Sequence, residues 1–158
     1  YKVFYPTQEK IEVGYIPQKD AKLYVPDGLL TLDALLNTAI HLREIPYTQG
    51  GNTSLGCDSS GFMQMIFRLH GVLLPRETFQ QKQITRPILM ENLKTGDLVF
   101  FPEQVGLYLG EHQFILASPI QKKVAIHSFD SSAPNYEPWY AEHFIQGGRL
   151  PEIRKLQL

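Results

Sequence analysis

Residues 47–61, YTQGGNTSLGCDSSG, together with the apolar run FMQMIFRLHG that continues from Phe62 to Gly71, decide the fold. The stretch opens as an irregular loop punctuated by Gly50, Gly51 and Gly56. It then reaches Asp58, Ser59 and Ser60, whose side-chain oxygens can accept the free N–H groups at the start of a helix. Phe62, Met65, Ile66 and Leu69 fall at i, i+3, i+4 and i+7, and Met63, Phe67 and His70 form a second stripe. A helix apolar on two faces belongs inside a protein. The spacing predicts a buried helix from about Ser60 to His70, with Gly71 where a terminating glycine would sit. A loop that delivers small polar residues to a helix N-terminus is a place for chemistry, since the free N–H groups there favour a thiolate or an anion.

Working toward the N-terminus, Thr31 to Glu44 reads as an amphipathic helix capped by Thr31, with Leu32, Leu35, Leu36, Ala39, Ile40 and Leu42 on its stripe and Pro46 just beyond. Residues 1–28 read as a β-rich segment of short strands at Val3–Tyr5, Lys10–Ile16 and Lys22–Val25, and residues 29–158 as the main domain. Toward the C-terminus, Leu73 to Gln81 reads as a turn and a short polar helix, and Ile84 to Lys94 as a connector. Strands follow at Asp97–Phe101, Val105–Leu109, Gln113–Ala117 and Val124–Ser128. Their short connections imply antiparallel neighbours, hence a meander against the central helix. The loop from Ser131 to Tyr140, with Pro134, Tyr136, Trp139 and Tyr140, either rims a cleft or covers a sheet edge.

The order of motifs resembles the NlpC-type cell-wall peptidases, papain-like cysteine hydrolases of bacterial peptidoglycan. The matching phrases are the glycine-rich loop, Asp58-Ser59-Ser60-Gly61, Leu74-Pro75-Arg76, Gly96-Asp97-Leu98-Val99-Phe100-Phe101 and Gln104-Val105-Gly106-Leu107-Tyr108-Leu109-Gly110. The resemblance covers about Leu32 to about Leu150. It implies an α+β papain-like fold, with the buried helix packed on an antiparallel sheet of about five strands. The phrase Gly14-Tyr15-Ile16-Pro17 also resembles the last strands of the small Src-homology-type barrels that precede this domain in some members; an extension packed on the main sheet is the other reading.

At the family's catalytic positions the chain departs from the pattern. The nucleophilic cysteine falls on Ser59, the general-base histidine on Gln104, and the third polar residue on Leu116. A serine hydroxyl needs a base to take its proton, and a carboxamide has no titratable nitrogen. Losing such a unit in a serine protease costs roughly 10⁴ to 10⁶ in turnover. The expectation is therefore a pseudoenzyme of the cysteine-peptidase class that retains binding of a peptidoglycan stem peptide or murein fragment. An active γ-D-glutamyl–diamino acid endopeptidase carrying an engineered cysteine-to-serine change would account for Ser59, but not for Gln104 and Leu116. A partner-binding or structural module is the third reading. Cys57 lies two residues before the nucleophile position with no base in view, and a small buried thiol is its ordinary meaning. The resemblance gives Asp58 and Ser60, with Tyr47, a role in holding the free amine of a stem peptide; helix capping explains Asp58 and Ser60 equally well.

Composition bounds the rest. With 158 residues, 43% hydrophobic, 20% charged and a formal net charge of −1, the chain is long enough for one sizeable core and carries no electrostatic footprint for nucleic acid. No run approaches the roughly 18 apolar residues of a membrane span. Five histidines and one cysteine show no metal-ligand spacing, and no cofactor is expected. The resemblance implies the bacterial cell envelope or a secreted setting, while composition leaves the location open, and the oligomeric state with it. His127 alternates with Ala125 and Phe129, and either face is open to it.

Overall fold

A computed structural model describes residues 2–6, 11–17, 19 and 31–151. The elements run β1 (Lys2–Pro6), β2 (Ile11–Tyr15), α1 (Leu32–His41), β3 (Asn52–Thr53), β4 (Gly56–Cys57), α2 (Ser59–Arg68), α3 (Thr78–Gln83), β5 (Arg86–Ile88), β6 (Leu98–Phe101), β7 (Gln104–Gly110), β8 (Gln113–Ser118), β9 (Lys123–Ser128), α4 (Pro138–Glu142) and β10 (Gln146–Arg149). Strands β1 and β2 pair antiparallel with each other in a sheet of their own. The strand expected at Lys22–Val25 lies outside the described residues. No described helix is long and apolar enough to cross a membrane.

The architecture is α+β, with the expected buried helix on an antiparallel sheet. That sheet has six strands rather than about five, in the order β5-β10-β6-β7-β8-β9. The β6–β9 meander lies where the alternation places it. The addition is β5, inside the stretch expected to be a connector, paired with the closing strand β10. Neither carries a hydrophobic alternation. Strand β5 is three residues with a central proline, and β10 is built around Gly147 and Gly148. The Gly148 position has no room for a side chain: a Cβ there would lie 2.3 Å from Thr85 Oγ1 and 2.6 Å from the Phe100 ring.

Helix α2 is buried along most of its length, with Phe62, Met63, Ile66 and Phe67 fully covered. It rests on the sheet face formed by Leu98, Phe100, Val105, Leu107, Ile115, Ala117 and Val124. Leu69, expected on its buried stripe, is half exposed because α2 ends at Arg68. Helix α1 is capped by Thr31, whose hydroxyl accepts the Ala34 N–H. It is tied to the turn that follows α2 by a 2.8 Å bond between Thr38 Oγ1 and His70 Nε2. The other sheet face carries a second cluster, Val99, Phe101, Tyr108, Phe114 and Leu116 with Tyr140 from α4. Strand β9 is an edge strand whose outer side is occupied. Glu44 N–H and Tyr47 N–H donate to Val124 and Lys122, and Val124 N–H and Ser128 N–H donate to Ile45 and Asn135.

Candidate functional site

The loop before α2 is folded on itself by backbone bonds. Cys57 N–H donates to Pro46, Thr48 N–H to Cys57, Gly51 N–H to Thr48 and Asp58 N–H to Gly51. The Gly51 carbonyl comes so near α2 that a Cβ on Gly61 would lie 2.1 Å from it, so only glycine fits there. This packing aims the first turn of α2 into a cleft of about 620 Å³, of the size that small-molecule and peptide ligands occupy. Tyr47, Asp58, Ser59 and Ser60 line it together with Glu103, from the β6–β7 turn, and Gln104, the first residue of β7. Phe79 and Ile145, both about half exposed, stand among its lining residues.

Asp58 is the N-cap of α2 and the hub of a polar cluster. Its Oδ1 accepts from Gly61 N–H at 2.8 Å, Arg76 Nη1 at 3.0 Å and Ser60 Oγ at 3.2 Å. Its Oδ2 accepts from Arg76 Nη2 at 2.7 Å and Gly50 N–H at 2.9 Å. Ser60 Oγ in turn accepts from Arg76 Nη1 at 2.8 Å. Burial by itself would raise the Asp58 pKa, but the Arg76 guanidinium and the two backbone amides hold it below the ordinary carboxylate value. The acceptor capacity of the carboxylate, about four lone-pair directions, is fully engaged. Arg76, the last residue of the Leu74-Pro75-Arg76 phrase, completes this cluster. Gln81, for which the sequence carried no signal, braces it from beneath by donating to the Ser60 and Pro75 carbonyls at 3.0 and 2.8 Å.

Ser59 is nearly buried, and its Oγ accepts the Val105 N–H at 3.2 Å. Gln104 is half-buried, and its Oε1 accepts from Tyr140 Oη at 3.3 Å. Ser59 and Gln104 therefore share the cleft. Leu116 does not line it; fully buried, it packs in the aromatic cluster. Among the described residues no imidazole lines the cleft. Tyr47 donates to Gln49 Oε1 at 2.5 Å. Its phenol pKa is raised by burial and by the charges of Asp58 and Glu103. Cys57 is fully buried in β4, and burial together with Asp58 pushes its thiol up to about 12, far from a thiolate at neutral pH.

Behind the cleft, Tyr140 is fully buried against His127, ring centroids 4.6 Å apart. Its phenol is pushed up to about 12 by burial, although the bond with Ser118 pulls the other way. His127 faces the aromatic cluster, where burial pushes its imidazole down to about 4 and its Nε2 has no partner. The aromatic loop thus sends Tyr140 into the interior rather than to the cleft rim. Among the described residues no group of three or more His, Cys, Asp or Glu is placed to hold a metal ion.

The sequence pattern of the NlpC/P60 family matches residues 44–143. A probable endopeptidase NlpC homologue of Haemophilus influenzae is 41% identical over 107 residues, covering 66% of this chain and 55% of that protein. The murein DD-endopeptidase MepS/murein LD-carboxypeptidase of Escherichia coli K12 is 36% identical over 114 residues, covering 68% of this chain and 57% of that protein. The chain thus spans just over half the length of these curated relatives. Among solved structures, an NlpC/P60 family protein from Bacillus cereus superposes with a TM-score of 0.68 at 25% identity, covering 90% of this chain and 45% of that one.

Proposed function

The chain belongs to the NlpC/P60 family, and on that premise we propose that it binds peptidoglycan stem peptides without cutting them. One observation carries this: the cleft offers Ser59 and Gln104, but no imidazole among the described residues, where a hydrolase of this class would need a nucleophile and its base. Among the described residues the one hydrogen-bond partner of Ser59 Oγ is a backbone N–H, which donates to the oxygen and cannot take its proton. Gln104 is held by a phenol and does not titrate. The third position, Leu116, is sealed in an apolar cluster where it can orient nothing. The scaffold around the site is nevertheless intact. Asp58 and Ser60 keep the loop and α2 in register, and Glu77 and Glu103, against Lys82 alone, leave the cleft lining with an excess of negative charge. A stem-peptide amine suits that lining: Glu77 and Glu103 supply the attraction and the Tyr47 hydroxyl an acceptor, while Asp58, already paired with Arg76, and Ser60 hold the helix end in place.

Two proteins decide the matter: the native chain, and a triple variant Ser59→Cys, Gln104→His, Leu116→His. Each is mixed with stem peptides, following binding by calorimetry and cleavage by mass spectrometry. The expected result is binding without cleavage by the native chain, and binding with cleavage by the variant. Cleavage by the native chain overturns the loss of chemistry. Failure of both to bind leaves a partner-binding or structural module as the better account.

A further inference from the structure

We propose, resting on the peptide-binding reading above, that Gln104 and Ser59 form a pair of hydrogen-bond donors that grips a carbonyl or carboxylate oxygen of the ligand. The site is a hydrogen-bond-donating seat for an oxygen atom, set from behind by Tyr140 and Ser118.

The direction of the hydrogen bonds follows from satisfaction. Ser118 is fully buried. Its Oγ already accepts the Gln121 N–H at 3.1 Å. Its own proton has one partner among the described residues, Tyr140 Oη at 2.9 Å. A buried hydroxyl that donates to nothing is costly, so Ser118 donates to Tyr140. The Tyr140 proton is then directed onward to Gln104 Oε1 at 3.3 Å. All members of this chain point the same way, Gln121 to Ser118 to Tyr140 to Gln104, and such chains polarise their last member.

The consequence falls on the carboxamide. With Oε1 turned to Tyr140, the opposite corner of the planar amide, the Nε2 group with two N–H donors, is left for the cleft that Gln104 lines. Nε2 has no described partner, and it is not among the buried polar atoms that lack one, so it is open to solvent or ligand. Ser59 reaches the same cleft in a matching state. Its Oγ accepts from Val105 N–H, and its proton has no described acceptor. Two donors lining one cleft select an acceptor oxygen. The oxygen comes either from an intact peptide bond or from a free carboxylate terminus; the donor chemistry is common to both.

The experiment uses the native chain, Gln104→Glu, Gln104→Leu and Tyr140→Phe, with three short stem-type dipeptides. One ends in a free carboxylate, one in its primary amide, and one carries a methyl group in place of the oxygen-bearing carbon. Binding is followed by calorimetry, and near-ultraviolet circular dichroism checks that each variant folds. The native chain is expected to bind at least one oxygen-bearing probe about tenfold or more tighter than the methyl probe, the effect of one well-made hydrogen bond. Whether the amide or the carboxylate binds tighter identifies the source of the oxygen. Gln104→Glu, the same shape without donors, is expected to lose that preference, as is Gln104→Leu. Tyr140→Phe is expected to shrink it while binding of the methyl probe stays unchanged, which separates a positioning role from a general loss of structure. Equal binding of all three probes by the native chain overturns the donor pair and leaves peptide binding standing. Retained preference in a folded Gln104→Glu protein overturns it as well. No binding of any probe overturns both this inference and the reading on which it rests.

Discussion

The two faces of the six-stranded sheet are built differently. The face under α2 is apolar throughout, and it is held by burial, which has no preferred direction. The opposite face mixes rings with polar groups: Tyr140 packs edge to face on both Phe101 and Phe114, while Ser118, Tyr140 and His127 carry polar atoms into the same layer. The first face makes the fold. The second sets the orientation of Gln104 at the cleft, because ring packing and hydrogen bonds specify angles as well as proximity.

The sharpest way to break this contrast is on the first face. Phe62→Ala should destabilise by about 3–5 kcal/mol through lost burial and the cavity left behind, seen as a lower denaturation midpoint with an unchanged slope. Next comes the polar cluster at the helix end. Arg76→Leu leaves the Asp58 carboxylate with its charge unpaired beside α2, and should cost about 2–3 kcal/mol in urea unfolding, less than a fully buried pair because Arg76 is partly exposed.

A third effect belongs to the second face and is read by pH. His127 is neutral in the fold, with a folded pKa of about 4 against 6.5 when unfolded. The unfolded chain therefore takes up the proton first as the solution is acidified. Stability is complete above about pH 6.5 and should fall by up to about 3 kcal/mol on the way down to pH 4. Asp58 adds its own loss only below the ordinary carboxylate range, since its folded pKa is depressed. His127→Leu should flatten the window between pH 6.5 and 4 in unfolding measured at several pH values, and an unchanged slope there would show that the imidazole is not the group responsible. The smallest effect is Tyr140→Phe, which keeps the ring and removes only the hydroxyl. About 1–2 kcal/mol is expected from the orphaned Ser118 proton.

Much of the first face was legible in the sequence, and much of the second was not. Phe62, Met63, Ile66 and Phe67 announce α2 by spacing alone, and the β6–β9 meander announces itself by alternation between short turns. Strand β10 has no such signature, because Gly147 and Gly148 have no side chains to alternate. Strand β5 hides behind Pro87 for a related reason. Asp58 was readable as a helix cap from its place before the apolar run. Its pairing with Arg76 was not, since 18 residues separate them and no periodicity links loop to loop. Tyr140, Ser118 and Gln104 meet only because α4 folds back over the far face; one residue near each strand end and one on a late helix leave no spacing to detect. His127 was undecided between faces until the aromatic cluster settled it: the alternation of β9 allows either side, and packing against Tyr140 and Phe114 chooses one.

The occupied outer side of β9 bears on how this protein meets other molecules. A sheet grows by recruiting a foreign strand onto unpaired backbone groups, the route to fibrils and to accidental dimers. Here the segments around Ile45 and Asn135 already use the amides and carbonyls of β9, and on the other edge strand Pro87 has no N–H to offer. Strand addition along β9 would first have to peel away the chain's own segments, one of which leads directly into the cleft loop. Association through the six-stranded sheet is steered instead toward side chains and concave surfaces.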